Sequence, residues 1–326
     1  MADAHLANLS NQLMLGTVLL YLVAMFGYAS DLAFGHRRTA AAAKAAAAKS
    51  KVLAGAGGPE ITVVSPDSEE TEVSPDKEDE AGRDWGRFAV IFTVLGWGAH
   101  LGEIVTRGMA ANRIPWGNMY EFLSAISFAA VTVYLVLLVR QKIRFLGAFV
   151  MVAALILVGL GSMLYNAPGP LRPALHSYWI AIHVTAAIIA TGTFTVAAVT
   201  TIFYLLQSRR EASGAEKASF LDRFPTADRL DGLSNKITMF GFPIWTFAII
   251  AGAIWADEAW GKYWGWDPKE TWSFVTFVVY AAYLHARATA GWKGRKAAAL
   301  SLIAYGCLLF NFFGINFLVS GMHSYA

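Results

Sequence analysis

The sequence predicts an all-α integral membrane protein with about eight transmembrane helices and both termini outside. Three observations predict this fold: the composition, the spacing of long apolar segments, and the distribution of basic residues. Of the 326 residues, 56% are hydrophobic and only 15% are charged, and the mean hydropathy is +0.46. Soluble domains carry about 25% charged residues, so an ordinary soluble protein is excluded as a class.

Eight segments are long and apolar enough to cross a bilayer, which takes about 20 predominantly apolar residues in a helix. They are 12–34, 88–106, 120–139, 145–165, 178–206, 237–256, 273–289 and 299–319. The first lacks the basic leading region of a cleavable signal peptide, since Asp3 and His5 precede it, and we expect a retained helix.

Basic residues concentrate in four of the segments that join these spans. Segments 35–87, 140–144, 207–236 and 287–296 hold 21 of the 26 Lys and Arg residues. An excess of Lys and Arg marks the cytoplasmic side of a membrane protein. These four segments are therefore predicted to be inside, which places both termini and the loop after the sixth span outside.

The longest of these segments divides the chain into three parts. We predict a first transmembrane helix over 1–34, a cytoplasmic linker over 35–87 and a seven-helix membrane domain over 88–326. An Ala- and Lys-rich run at 40–51 favours helix, whereas the acidic stretch up to Glu80 has the composition of a disordered segment. The linker is interpreted as a connection, with a docking role as the alternative.

A tryptophan-rich segment follows the sixth predicted span. Residues 255–272 hold five of the eleven tryptophans: Trp255, Trp260, Trp264, Trp266 and Trp272. Tryptophan is common at both membrane interfaces, but an aromatic belt spreads over many helix ends rather than one loop. The cluster, with its glycines and fixed charges, therefore predicts an outer surface that holds a flat, aromatic and partly charged molecule.

The start of the seventh helix is predicted inside this segment. Pro268 suits the first turn of a helix, and Asp267 suits the N-cap position. A helix N-terminus favours carboxylates, including those of a bound ligand. The outer basic residues that could pair with such carboxylates are Arg113, Arg172, Lys262 and Lys269. For the two arginines, the alternative is that they only snorkel to the interface.

Two histidines are predicted to lie at the level of the tryptophans. His183 is one to two turns into the fifth span from its outer end, and His323 follows the last span. One imidazole from each face is what axial ligation of a haem iron needs, although histidine alone also allows zinc or copper. Alternatively, His183 bonds to a neighbouring helix and His323 belongs to a frayed terminus.

The other informative histidines are predicted at different positions. His285 lies ~18 Å below the outer boundary at the helical rise per residue, so haem ligation, a proton path and an interhelical hydrogen bond all stay open. His100 is only ~9 Å deep by the same rise and is expected to be a bundle histidine, and His176 is expected beside His183. The single cysteine, Cys307, excludes a disulfide within the chain.

The motif Trp260-Gly-Lys-Tyr-Trp264-Gly-Trp266-Asp267-Pro-Lys-Glu-Thr-Trp272 resembles the WWD signature of haem-handling proteins in cytochrome c maturation. Its form is similar to the CcsA/ResC branch, called CcsB in some bacteria. The resemblance covers residues 85–326 and leaves 35–84 outside. The segments that agree with it are Asn118-Met-Tyr-Glu121, Ser177-Tyr-Trp-Ile-Ala-Ile-His183-Val, Tyr283-Leu-His285-Ala-Arg287 and Gly321-Met-His323-Ser-Tyr325.

The resemblance implies two haem contacts. His183 and His323 would ligate the iron of an outer haem. His285 would ligate an inner haem, whose opposite ligand would come from a partner chain of ResB type. No catalytic residue is expected, because no nucleophile is required of the protein. The platform that presents the outer haem would comprise Trp260, Trp264, Trp266, Asp267 and Trp272.

The implied function is cytochrome c maturation at the cell membrane. Haem b would be a transported substrate, presented outside to apocytochrome c that carries a Cys-x-x-Cys-His motif. The chain would be a subunit of a holocytochrome c synthase, working with a ResB-type protein and with thiol-reducing proteins that act on the substrate cysteines. Two alternatives stay open: a haem chaperone or exporter without synthase activity, and a non-haem membrane transporter whose tryptophans only anchor it.

Overall fold

A computed structural model describes residues 3–54, 75–141, 143–170, 175, 177–214 and 219–323, and no strand is present in this part of the chain. The all-α prediction is confirmed for these residues. A π-helical segment, Phe310–Gly314, and a short helix, α9 (Ile315–Leu318), continue the last long helix. The long helices are α1 (Ala4–Ala54), α2 (Pro75–Ala111), α3 (Met119–Arg140), α4 (Gly147–Met163), α5 (Tyr178–Ser213), α6 (Ala227–Trp260), α7 (Pro268–Thr289) and α8 (Gly294–Leu309).

Seven helices of the described residues are long and apolar enough to cross a membrane, by length and composition. They are Ala4–Phe34, Trp85–Ala111, Met119–Arg140, Arg144–Met163, Tyr178–Ser213, Ala227–Trp260 and Gly294–Leu318. The remaining predicted span, 273–289, falls within α7, a helix of 22 residues that His285 and Arg287 make less apolar. The predicted count of eight and the outside position of both termini are therefore not confirmed.

The first two helices extend beyond the spans predicted at their positions. α1 runs to Ala54 and includes the Ala- and Lys-rich run at 40–51, which was predicted to favour helix. α2 begins at Pro75, within the acidic stretch. Because residues 55–74 lie outside the described part of the chain, the assignment of 35–87 to a cytoplasmic linker stays a prediction.

α5 lies at the centre of the bundle. Of its most apolar window, 78% is buried. Glycines allow its closest contacts: a Cβ at Gly192 would lie 2.7 Å from the backbone nitrogen of Ala130 on α3, and one at Gly241 on α6 would lie 2.9 Å from the ring of Phe194. Phe194 also stacks on Tyr280 of α7, with ring centroids 4.0 Å apart. α5 therefore aligns the helices that surround it.

A polar network is buried between α1, α2 and α3. The ring of His100 lies between two hydroxyls, with Nδ1 3.2 Å from Tyr21 Oη and Nε2 3.0 Å from Ser124 Oγ. The carboxylate of Glu103 accepts hydrogen bonds from Ser124, at 2.8 Å, and from Tyr120, at 3.1 Å. His100 is thus a bundle histidine, as predicted.

At the start of α3, the buried carboxylate of Glu121 pairs with two arginines. Its Oε1 is 3.0 Å from Nε of Arg107, and its Oε2 is 2.8 Å from Nη1 of Arg113. The backbone N–H of Gly117 also donates to Oε2, at 2.7 Å. A buried carboxylate is costly unless it is paired and hydrogen-bonded, and here both conditions are met.

The connection between α6 and α7 has a defined backbone geometry. Gly261 follows the last residue of α6 with φ of 70°, a left-handed conformation that suits a glycine at a helix end. α7 then begins at Pro268 with Asp267 as the N-cap, and Glu270 completes a capping box. The predicted start of this helix is confirmed.

One residue of this connection is in an uncommon conformation. Trp266 has φ of 55°, which is rare for a residue other than glycine. The backbone N–H groups on both sides of it, those of Gly265 and Asp267, donate to the same oxygen, Oε2 of Glu270, at 2.8 and 3.1 Å. Two hydrogen bonds to one carboxylate therefore hold the conformation in place.

Candidate functional site

An open cavity lies between α3, α5, α6, α7 and the segment that follows α8. It encloses about 1160 Å³ of empty space, part of which is open to solvent. Its walls are mostly apolar. The polar side chains that line it include His183, Lys269, Glu270, Ser273, Asn311, Asn316 and His323. The cavity therefore suits a large and mainly apolar ligand with a few polar groups.

His183 reaches this cavity from the second turn of α5. Its Nδ1 is 2.7 Å from the carbonyl oxygen of Ala248 on α6. A carbonyl only accepts, so Nδ1 carries the proton and Nε2 carries the lone pair. The ring fits because residue 252 is glycine: a Cβ there would lie 2.7 Å from Nδ1. The packing of α5 on α6 thus fixes both the position and the tautomer of His183.

His323 reaches the same cavity from the C-terminal segment. Its Nδ1 is 2.8 Å from Oδ2 of Asp267. The other oxygen of that carboxylate, Oδ1, accepts the backbone N–H of Met322 at 2.7 Å. The segment lies so close that a Cβ at Gly321 would be 2.7 Å from Oδ1. The N-cap of α7 therefore also holds the C-terminal segment.

A buried indole connects the two histidines. The ring of Trp255 is parallel to that of His183, with centroids 6.1 Å apart and planes 9° apart. Its edge faces His323, with centroids 5.5 Å apart. Both imidazoles therefore lie around one tryptophan and line one cavity, as the sequence predicted for His183 and His323. Of the alternative, the part that concerns His183 applies, since this side chain bonds to the neighbouring helix α6. The part that concerns His323 does not, since His323 is bonded to Asp267.

The electrostatics of the cavity depend on two neighbouring charges. Burial raises the pKa of Asp267, but hydrogen bonds from His323, Met322 and the backbone of Lys269 outweigh it and hold this pKa below its usual value. Burial lowers the pKa of the Lys269 ammonium to about 8, while the Asp267 carboxylate opposes part of that shift. Asp267 is thus a carboxylate at neutral pH. The pKa of Lys269 lies close to neutral pH, so this side chain is near the point at which it loses its charge.

The tryptophans of the predicted platform differ in position. Trp264 lines the cavity. Trp260 packs against His323, with ring centroids 4.7 Å apart. Trp266 is 67% exposed and Trp272 packs on Phe310, at 4.3 Å, and neither lines the cavity. The structure brings together part of the predicted platform and adds Trp255 as its buried centre.

The basic residues that were predicted to pair with carboxylates of a ligand lie in different places. Of the three that the structure describes, only Lys269 lines the cavity, where its Nζ donates to Oδ1 of Asn316 at 2.7 Å. Lys262 is exposed on the loop, and Arg113 is bound to Glu121. Arg172 lies outside the described residues, as does His176. Of the four basic candidates, the structure therefore brings Lys269 to the cavity.

His285 is not part of this cavity. It is exposed on α7, two residues before Arg287, whose guanidinium makes two hydrogen bonds of 2.9 Å to the carboxylate of Asp231 on α6. This ion pair fixes the end of α7 against α6. The inner haem contact of His285 stays a prediction.

Several cavity residues were not predicted from the sequence. Gly252 and Ala248 lie in an apolar helix, where nothing marks a contact with a histidine on another helix. Asn311 and Asn316 did carry a signal, since they are amides within the last apolar span. In the described residues, Oδ1 of Asn311 and Oε1 of Glu270 are buried without a hydrogen-bond partner, and both side chains line the cavity.

A zinc or copper site, which histidine alone allows, finds no support in the described part of the chain. No group of three or more His, Cys, Asp or Glu side chains there could hold a metal ion.

Comparisons with known proteins agree with this arrangement. The family profile described as "Cytochrome C assembly protein" matches residues 116–323. The chain is 32% identical to the cytochrome c biogenesis protein CcsA of Gloeobacter violaceus over 69% of this chain and 82% of that protein. It is 33% identical to CcsA of Trieres chinensis, over 68% and 80% of the two chains.

A solved structure has a similar fold. It is the "Cytochrome c Heme Lyase CcmF", with a TM-score of 0.60 over 94% of this chain at 14% sequence identity. This chain spans 46% of the length of that protein. At this identity the likeness concerns the fold alone.

Proposed function

Because the chain belongs to the cytochrome c assembly protein family, as a CcsA-type cytochrome c biogenesis protein, we propose that it carries haem across the membrane and presents it outside for attachment to apocytochrome c. The observation that carries this proposal is the pair His183 and His323. Both line one large cavity, and each donates its Nδ1–H to an oxygen, so that Nε2 is the nitrogen that would ligate the iron.

The residues of the cavity have separate roles in this proposal. His183 and His323 supply the axial ligands, and Trp255 and Trp264 form the aromatic wall. Lys269 pairs with a propionate, since it is the basic side chain on the polar side of the cavity. Trp266 lies outside the lining and would at most contact an exposed edge of the macrocycle. The protein thereby orients haem b, its substrate, and leaves the reacting edge accessible.

The attachment step needs no nucleophile from this chain. The two thiols that react belong to the Cys-x-x-Cys-His motif of the apocytochrome. Each S–H adds across a vinyl C=C, forming one C–S bond and one C–H bond, with no net oxidation or reduction. The single cysteine of this chain, Cys307, is unsuited to assist, because it lies within the last membrane-spanning segment.

His285 would serve an inner haem on the route from the cytoplasm. Its exposed position on α7 leaves room for a second ligand from a ResB-type partner chain. We further propose that 273–289 is an eighth span and that both termini are outside the cell membrane, with 35–87 as a cytoplasmic linker. Thiol-reducing proteins would keep the substrate cysteines reduced.

Absorption spectroscopy of the purified full-length protein tests the haem site. We expect a low-spin, bis-histidine haem spectrum that His183→Ala removes and that added imidazole restores. Absence of any haem spectrum in the wild-type protein, with and without its partner, would overturn the proposal in favour of a non-haem transporter.

A second experiment separates a synthase subunit from a haem chaperone. The chain is expressed with a ResB-type protein and an apocytochrome in cells that lack their own maturation system. Haem-stained cytochrome that forms only when both membrane proteins are present supports the synthase. Haem binding without covalent product under the same conditions would favour the chaperone.

A further inference from the structure

Asp267 connects the start of α7 with the last described residues of the chain. Its carboxylate is buried and accepts hydrogen bonds from the backbone N–H of Met322 at 2.7 Å, from Nδ1 of His323 at 2.8 Å and from the backbone N–H of Lys269 at 3.2 Å, besides the capping-box bond from the start of α7. One side chain therefore caps a helix and holds the segment that carries a predicted iron ligand.

The hydrogen bond to His323 decides which ring nitrogen carries the proton. A carboxylate only accepts, so the proton stays on Nδ1 and the lone pair stays on Nε2. Only a nitrogen with a lone pair can ligate iron. A carboxylate on the far nitrogen also makes an imidazole a more basic ligand than a neutral acceptor does.

The two predicted ligands are held in different ways. His183 stands in the continuous helix α5, and its acceptor is the backbone carbonyl of Ala248, which no side-chain substitution removes. His323 lies beyond the last helix, and its acceptor is a side chain. The geometry of His323 therefore depends on residue 267 in a way that the geometry of His183 does not.

We propose that Asp267 is the positioning residue of the outer haem site. It fixes the tautomer and direction of His323, and it makes this ligand the more basic of the two, which lowers the midpoint potential of the bound iron. The inference rests on the proposed function, because it assigns to Asp267 an effect on the iron that passes through His323.

Two substitutions keep a residue type that favours the N-cap position and change the acceptor for His323. Asp267→Asn and Asp267→Ser both retain a good N-cap residue. Asn whose oxygen accepts from Met322 places its amide NH₂ where Oδ2 accepts from both His323 and the backbone N–H of Lys269, so both of these bonds are lost. Ser is too short to contact both His323 and Met322. Asp257→Asn is the matched control, since Asp257 lies at the end of α6 and does not line the cavity.

Each full-length variant is purified in detergent and titrated with hemin. The readouts are the low-spin absorption bands, the haem dissociation constant and the midpoint potential, each with and without imidazole. We expect Asp267→Asn to move the proton of His323 to Nε2, and both variants to bind haem about 10–100-fold more weakly, the usual effect of losing such a partner. Imidazole restores the low-spin bands, and the remaining bis-histidine fraction has a more positive midpoint potential.

Three other results would contradict the inference. Unchanged spectrum, affinity and midpoint potential in both Asp267 variants would overturn it and leave the proposed function intact. Loss of haem that imidazole does not restore would also overturn it, because the role of Asp267 would then be structural. A wild-type protein without a bis-histidine spectrum would overturn the proposed function itself, which distinguishes the two failures.

Discussion

Two clusters of polar side chains in the described part of the chain each contain a histidine and a carboxylate, and their histidines differ in how completely they are hydrogen-bonded. In the cluster of α1 to α3, both ring nitrogens of His100 are bonded, to Tyr21 and Ser124. In the cavity, His183 has Nδ1 bonded to Ala248 and its ring faces open space. A buried histidine is thus a candidate ligand where the fold fixes one nitrogen and leaves a cavity beside the other.

The carboxylates show the same difference. Glu121 is neutralised by Arg107 and Arg113 inside a packed helix junction. Asp267 instead accepts from backbone N–H groups and from a histidine at the edge of a cavity. The first arrangement holds helices together, whereas the second aims a side chain at a ligand. Four substitutions test whether the cluster of α1 to α3 stabilises the fold while the cavity binds a ligand.

The largest effect is expected at Glu121, in the packed cluster of α1 to α3 that also contains His100. Glu121→Ala leaves two buried guanidinium groups without their carboxylate, and breaking such a pair costs about 3–5 kcal/mol. Thermal unfolding in detergent should show this loss, while Glu258→Ala, an exposed residue of α6, should change little. A Glu121→Ala protein of wild-type stability would contradict the assignment of this cluster to folding.

The next largest effect concerns the cavity. His183→Ala should lower haem affinity by more than about a hundredfold, the upper end of what loss of a partner beyond the first shell costs. His100→Ala is the matched change in the packed cluster and should lower the unfolding temperature while leaving the haem spectrum unchanged. Loss of the spectrum in a folded His100→Ala protein would break the distinction between the clusters.

A smaller effect is expected from the basic side chain of the cavity. Lys269→Gln should weaken haem binding about tenfold, a charge-assisted hydrogen bond being worth roughly 1.5–3 kcal/mol at most. Since the pKa of Lys269 is about 8, its positive charge is present below that pH and is lost as the pH rises through it. Wild-type affinity should therefore fall between pH 7 and pH 9.

Two controls sharpen the experiment on Lys269. Lys262→Gln removes an exposed charge of the same loop and should leave both the affinity and its pH dependence unchanged. Haem dimethyl ester, which lacks propionate charge, should bind wild type and Lys269→Gln equally. A pH dependence that persists in Lys269→Gln would show that another group causes it.

The smallest effect is expected at the most exposed tryptophan. Trp266 is 67% exposed and does not line the cavity, so Trp266→Ala should change haem affinity by less than about twofold, as is usual for surface substitutions. Trp264 is two residues earlier in the loop and lines the cavity, so Trp264→Ala should weaken binding more. Equal losses in the two variants would mean that the ligand extends beyond the cavity.

Much of the fold and part of the site could be predicted from residue patterns. Long apolar runs predict membrane-spanning helices because a bilayer leaves no other partner for backbone polar groups. Asp267 and Pro268 predict a helix start through chemistry that is local to a few residues. His183 and His323 were predicted to flank one aromatic surface because both were expected at the same level of the membrane.

The remaining features depend on contacts between helices that are distant in sequence. The acceptor for His183 is the backbone carbonyl of Ala248, which no residue pattern reveals. The space for its ring depends on Gly252, one of 29 glycines in the chain. Trp266 lies outside the cavity lining and has a left-handed backbone, which glycine favours and tryptophan does not.

The π-helical segment Phe310–Gly314 sets the direction in which the side chains after it point. A π-turn contains one residue more than an α-turn, and each residue of an α-helix corresponds to about 100° of rotation. Removing one residue there would turn Asn316 away from Lys269. It would also move the segment that carries His323 out of register with Asp267. The contacts of Asn316 and His323 therefore depend on the exact number of residues in this helix.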